Sequence, residues 1–128
     1  MKDIFIFPAV FSKDEDGYSV YFPGIEGAFT CGDTFEEAVF MAKDCLELNL
    51  DGIEELPKII NIEDIKLEKN EYVVMVTADM ISYRKKYHSQ PVKKTLTIPK
   101  WLNDLGVQKK INFSKLLQEA LKKELDLL

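Results

Sequence analysis

Four places in the chain carry side chains whose types could do chemistry. Asp14, Glu15 and Asp16 set three carboxylates in a row. Two-cation hydrolysis uses clustered carboxylates of this kind on strands. Here they fall within Ser12-Lys13-Asp14-Glu15-Asp16-Gly17, whose composition reads as a turn, where acidic residues belong for local reasons. His88 is the only histidine, and the sequence offers it no Ser, Cys or His partner for acid–base work. Cys31 and Cys45 lack the C-x-x-C spacing of a metal site and read as two buried thiols. With no acid pair, nucleophile or metal spacing, the expectation is a non-enzyme with no cofactor and no metal. The fourth place differs. Val92 to Pro99 alternates with period two, so Lys93, Thr95 and Thr97 share one side, opposite Val92, Lys94, Leu96 and Ile98. Lysine can donate to guanine acceptors in a DNA major groove, and threonine can donate, accept or touch a thymine methyl.

That strand needs elements to hold it. Pro99 cannot continue a ladder but suits the first turn of a helix. Lys100 to Leu105 continues helically, with Gly106 inside that helix or near its end. Asn112 caps a second helix in which Phe113, Leu116, Leu117, Ala120, Leu121 and Leu125 keep helical spacing. One lone strand and two short helices cannot bury enough apolar area to fold alone. Pairing the strand with its copy in a second chain gives a two-stranded antiparallel ribbon over a four-helix core. Leu96, Ile98, Trp101, Leu102, Leu116, Leu117 and Leu121 would form that core. Lys93, Thr95 and Thr97 would face a groove twice over. Lys100 and the first amides of the second helix, from Asn112 to Ser114, would meet phosphates.

The rest of the chain has a different character. Residues 1–90 carry nine basic and eighteen acidic side chains, whereas residues 91–128 carry eight basic and four acidic ones. Six basic residues and no acidic one lie between Arg84 and Lys100. An acidic body with a basic tail is the asymmetry of a protein that meets nucleic acid with one part only. The body reads as strands at Ile4–Phe11, Tyr18–Phe22 and Ala28–Cys31, with Pro8 placing the first at an edge or a bulge. The Ile4–Phe11 run is too short to span a membrane, and no cleavage-site pattern follows it, so no signal peptide is read. Thr34-Phe35-Glu36-Glu37 fits a capping box at the head of a helix. Ala38, Met41, Ala42, Cys45, Leu46 and Leu48 share its apolar face, and Gly52 stops it. A polar connection fills 53–71, with one helical turn near Glu63 to Lys66. A strand follows at Tyr72–Ala78, then a short helix at Met80–Tyr87. Phe40 stands out: its helical angle sets it amid an acidic arc of Glu36, Glu37, Asp44 and Glu47. A single exposed apolar side chain is normal on a surface; the alternative is that Phe40 marks a protein contact whose acidic neighbours would steer a basic partner. The fold class expected is α+β, a small antiparallel sheet with one helix over 1–88, followed by the dimeric module over 91–128.

Two sets of residues carry a family resemblance. Lys93 to Asn103, with Asn112-Phe113-Ser114 and Leu116 to Leu121, resembles the ribbon-helix-helix tail of HicB antitoxins. Pro8-Ala9-Val10-Phe11, Asp16 to Pro23, Gly32-Asp33-Thr34 and Glu36-Glu37-Ala38 are similar to the HicB N-terminal domain. The resemblance implies a partial ribonuclease H-like first domain without a working active site. It implies that this domain binds and neutralises a HicA-like toxin, a small messenger-RNA-cleaving protein with a double-stranded-RNA-binding-like fold. It further implies that the tail represses the shared operon on double-stranded operator DNA, and that the chain is cytoplasmic and acts as a homodimer or tetramer. The alternative is a stand-alone ribbon-helix-helix regulator whose first domain senses something other than a toxin.

Overall fold

The structure, a computed structural model, describes residues 3–127. The chain divides into two compact units, residues 1–90 and residues 91–128.

The first unit is α+β. Its strands β1 (Ile4–Asp14), β2 (Gly17–Tyr21), β3 (Phe29–Gly32) and β4 (Glu71–Asp79) form one sheet in the order β3-β2-β1-β4. Every pairing is antiparallel. The β1–β2 hairpin is tighter than the composition suggested. Asp14 pairs with Gly17, so the strands run on through Ser12 and Lys13 and only Glu15 and Asp16 make the loop. Asp14 Oδ1 accepts the Asp16 amide at 2.9 Å, and Gly17 takes φ 143°, which a side chain would resist. Pro8 lies on a central strand, not on an edge. Pairing with β2 begins only at Val10, so at Pro8 the strand has a neighbour on one side alone.

Helix α1 (Phe35–Leu50) covers one face of this sheet. Thr34 Oγ1 accepts the Glu37 amide at 3.1 Å, as a capping box requires. The return bond differs from the expected one: Glu37 Oε2 accepts from the amide of Asp33, at 3.3 Å, one residue earlier than Thr34. Phe7, Ala9 and Phe11 of β1, Val20 of β2 and Val76 and Ala78 of β4 alternate onto the covered face and meet Ala38, Ala42, Leu46 and Leu50. Each fully buried large side chain contributes about 1.5–3 kcal/mol. Gly32 lets helix and sheet approach, because a Cβ there would sit 2.5 Å from the Ala38 amide nitrogen. Met41 and Leu48, expected in this core, are exposed.

The connection after α1 is less open than its composition implied. A single 3₁₀ turn spans Ile62–Asp64, Ile60 and Ile65 are half-buried, and Ile60 lies against the backbone of Gly24. Helix α2 (Met80–Tyr87) follows β4 directly. Asp79 caps it by accepting the Ser82 amide at 3.1 Å and the Ser82 hydroxyl at 2.9 Å.

The second unit holds α3 (Lys100–Gln108) and α4 (Phe113–Glu124). Pro99 stands at the N-cap of α3, just outside the first turn. Gly106 lies within that helix and is the only buried residue among those described from 91 to 127. Asn112 caps α4, its Oδ1 accepting the Lys115 amide at 3.0 Å. Residues 91–99 belong to no strand within the single chain.

Candidate functional site

Helix α1 presents two different flanks. On the β4 side, Glu47 was expected in the exposed acidic arc. It is buried, only 6% exposed. Its Oε2 accepts the Asp79 amide at 2.7 Å and pairs with Lys43 Nζ at 2.5 Å. Glu47 therefore ties the end of β4 to the helix, and it cannot belong to an exposed contact surface. A helical wheel gives only the angle; the strand end that reaches this angle is a tertiary fact. The rest of the arc is open. Phe40 is 62% exposed, and Glu36, Glu37 and Asp44 around it are exposed too.

The β3 side carries Met41, Cys45 and Leu48. Leu48 is 65% exposed. Cys45 is half-buried, its Sγ lying 3.8 Å from the Phe29 carbonyl oxygen. Burial pushes its thiol above the ordinary range, with a hydrogen bond from Asn49 acting the other way. Cys31, expected to be buried, is exposed on edge strand β3. Its neighbour Phe29 is 74% exposed.

Other candidates resolve structurally. Asp14 ends β1 and Glu15 and Asp16 form the hairpin loop, and no group of three or more potential metal ligands occurs among the described residues. His88, read without a Ser, Cys or His partner, is exposed; it closes the C-terminus of α2 and places Nε2 3.1 Å from the Asp51 carboxylate at the C-terminus of α1. No sequence signal joined these residues, because the contact depends on how the two helix ends meet. Two hydrogen bonds from Ser82 hold the Asp79 carboxyl below its ordinary pKa.

In the second unit Lys93, Thr95 and Thr97 are exposed. Lys100 Nζ lies 2.8 Å from Asp104 Oδ2 in an exposed pair, and Ser114 Oγ accepts from Gln118 Nε2 at 3.2 Å. Leu96, Ile98, Trp101, Leu102, Leu116 and Leu121 are all exposed in the single chain, and Leu117 is half-buried.

The family model described as HicB-like antitoxin of bacterial toxin-antitoxin systems matches residues 7–120. The chain belongs to this family. Among curated relatives of this HicB-like chain, Antitoxin HicB 2 of Photorhabdus laumondii is 52% identical over 40 residues, which cover 31% of this chain and 29% of that one. An uncharacterized 14.9 kDa protein of Haemophilus phage HP1 is 35% identical over 77 residues, covering 56% of this chain and 58% of its own length. The HicB-like chain thus spans less than two thirds of the length of either relative. A chain of a solved toxin–antitoxin complex from Streptococcus pneumoniae superposes with a TM-score of 0.56 at 30% identity, covering 94% of this chain and 99% of that one. No helix among the described residues is long and apolar enough to cross a membrane.

Proposed function

We propose that this chain neutralises a HicA-type messenger-RNA-cleaving toxin with its first domain, residues 1–88, and represses its own operon with its second, residues 91–128. The observation that carries the reading is the state of the second unit. Its large apolar residues stand exposed except the half-buried Leu117, with Gly106 alone buried among those described. A 38-residue segment of that kind gains a core only by pairing. A second copy supplies it: two 92–98 segments make an antiparallel ribbon, and two pairs of helices close beneath it as a ribbon-helix-helix dimer. Leu96, Ile98, Trp101, Leu102, Leu116, Leu117 and Leu121 fill that core. The ribbon offers Lys93, Thr95 and Thr97 to the major groove of operator DNA. Lys100 leaves its exposed pair with Asp104 for a phosphate, and the α4 N-terminus from Asn112 to Ser114 holds another.

The first unit reads as a partial ribonuclease H-like layer turned to binding. Eighteen acidic side chains against nine basic ones over residues 1–90 repel nucleic acid and attract a basic protein. Phe40, with Glu36, Glu37 and Asp44, supplies an apolar anchor in an acidic rim; Glu47 is excluded by its burial. The chain acts in the cytoplasm, as a homodimer that toxin or DNA can assemble further. Two assays test the proposal together. Co-expression of the full chain should restore growth to cells making the HicA-type toxin of its own operon. A mobility shift should show dimeric binding to the promoter DNA of that operon. A chain that binds the promoter but leaves the toxin active would instead be a stand-alone regulator.

A further inference from the structure

The charge of the chain does not change sign where the fold divides. The two units part between residues 90 and 91. The last acidic residue of the first unit is Asp79, and the next acidic residue in the chain is Asp104. Between them stand Arg84, Lys85, Lys86, Lys93, Lys94 and Lys100. The first three belong to the first unit, in the last turn of α2. The acidic character of that unit is therefore confined to residues 1–79, and the unit ends on a basic helix.

Other residues fasten α2 to the body. Met80 is buried, and its amide donates to the Asp3 carbonyl oxygen at 2.8 Å. Arg84 pairs with the Asp3 carboxylate at 2.9 Å, and His88 meets the Asp51 carboxylate at 3.1 Å. Asp79 accepts from Ser82. The carboxylates that touch the helix thus have partners other than Lys85 and Lys86. At about 100° per residue, these two lysines straddle the direction opposite Met80. Both are exposed, and neither forms an ion pair among the described residues. Lys86 Nζ lies over the Tyr87 ring, 5.2 Å from its centroid.

We propose that Lys85 and Lys86 grip phosphates of the operator duplex beside the base pairs that the ribbon reads. The inference rests on the ribbon reading above and adds to it a contact made by the first unit. Chain length selects the occupant. Lys86 and Lys93 are seven residues apart, a stretch that spans at most about 25 Å when fully extended. One turn of duplex DNA is about 34 Å long. With Lys93 in a groove, Lys86 is tethered within one helical turn of it. Duplex DNA carries one negative charge per about 1.7 Å of its axis, so phosphates line that whole reach. Charge excludes the other candidates, because a basic toxin and the α2 of a second copy both oppose the two lysines. A phosphate contact of this kind carries no base sequence; it adds affinity and fixes orientation.

The test uses the full chain, the promoter DNA of its own operon and an unrelated duplex of the same length, titrated at several salt concentrations. Lys85→Gln with Lys86→Gln should weaken binding to both duplexes about tenfold or more at low salt. It should flatten the slope of log affinity against log salt by about 2–4 for the dimer. Sequence preference and toxin affinity should stay at the parent values. Lys85→Arg with Lys86→Arg keeps the charge and should keep the slope. A folded, dimeric glutamine variant with the parent's slope overturns the inference and leaves operator binding by the ribbon intact. The parent's slope together with weaker inhibition of the HicA-type toxin would assign the lysines to the toxin and overturn the inference equally. A parent chain that binds no promoter DNA overturns the ribbon reading itself. Should the double variant fail to fold, Lys85→Gln and Lys86→Gln singly should each flatten the slope by about 1–2, and parent slopes in both overturn the inference.

Discussion

Phe113 occupies the space that a side chain on Gly106 would need. A Cβ built at Gly106 lies 2.6 Å from Phe113 Cζ and 2.9 Å from Cε1. The first residue of α4 thus packs directly on the backbone of α3, and the tight turn between the helices follows from that packing. Lys110 in the turn takes φ 56°, a conformation costly for a residue with a Cβ.

Gly106→Ala should therefore force the two helices apart. Overpacking of this kind costs about 1–3 kcal/mol. Thermal melts should show a destabilised second unit and mobility shifts should show that DNA binding is abolished, while toxin affinity stays at the parent value.

Leu96→Asp places a charge where the two chains would share a core. Sedimentation should report monomers, and operator binding should vanish with them. Operator binding by a monomeric variant would contradict the ribbon.

Two further substitutions separate readout of bases from grip on the backbone. Thr95→Ala or Thr97→Ala should relax preference at one base position per half-site, by roughly 1–3 kcal/mol for each good interaction with a base edge that is removed. Lys100→Ala should instead weaken binding to every sequence and flatten its salt dependence. Threonine variants with the parent's sequence preference would reverse the assignment of ribbon faces.

Helix α1 gives a paired prediction. Phe40→Lys should leave the melting temperature unchanged, since the ring is already in solvent, yet raise toxin dissociation. Glu47→Ala should do the opposite. It strips the Asp79 amide of a buried acceptor, which costs about 1–3 kcal/mol, and should leave toxin affinity otherwise intact.

Asp79 adds a pH dependence of known sign. Its folded pKa lies below the ordinary value. The stability it adds is fully present above an unfolded pKa of about 3.9 and is lost as pH falls through the lower folded value. Asp79→Asn keeps a cap on α2 but removes the titration, so its acid melting curve should fall less steeply than the parent's. Identical acid limbs would show that Asp79 does not govern acid stability.

The sequence was most legible where one local rule decides. Thr34, Asn112 and the Met80–Tyr87 helix needed only capping and periodicity, and the α+β order of elements followed from short-range patterns. It was least legible where two distant segments meet. Glu47 and Leu48 are adjacent on one helix, yet the acidic residue is buried and the leucine exposed. The outcome depends on β4 ending beside one and the sheet ending short of the other. Pro8 tells the same story: proline argued for an edge, and β2 instead begins too late to flank it. The Asp51–His88 pair joins two helix ends whose meeting no pattern within either helix encodes.

The most direct test is a ribonuclease assay. The HicA-type toxin of the same operon is mixed with a messenger RNA and increasing amounts of the full chain, without DNA. Antitoxin action predicts that cleavage stops once the chain reaches a fixed molar ratio to toxin, and that Phe40→Lys shifts this point to higher concentration. Undiminished cleavage at a large excess of folded chain would contradict the account.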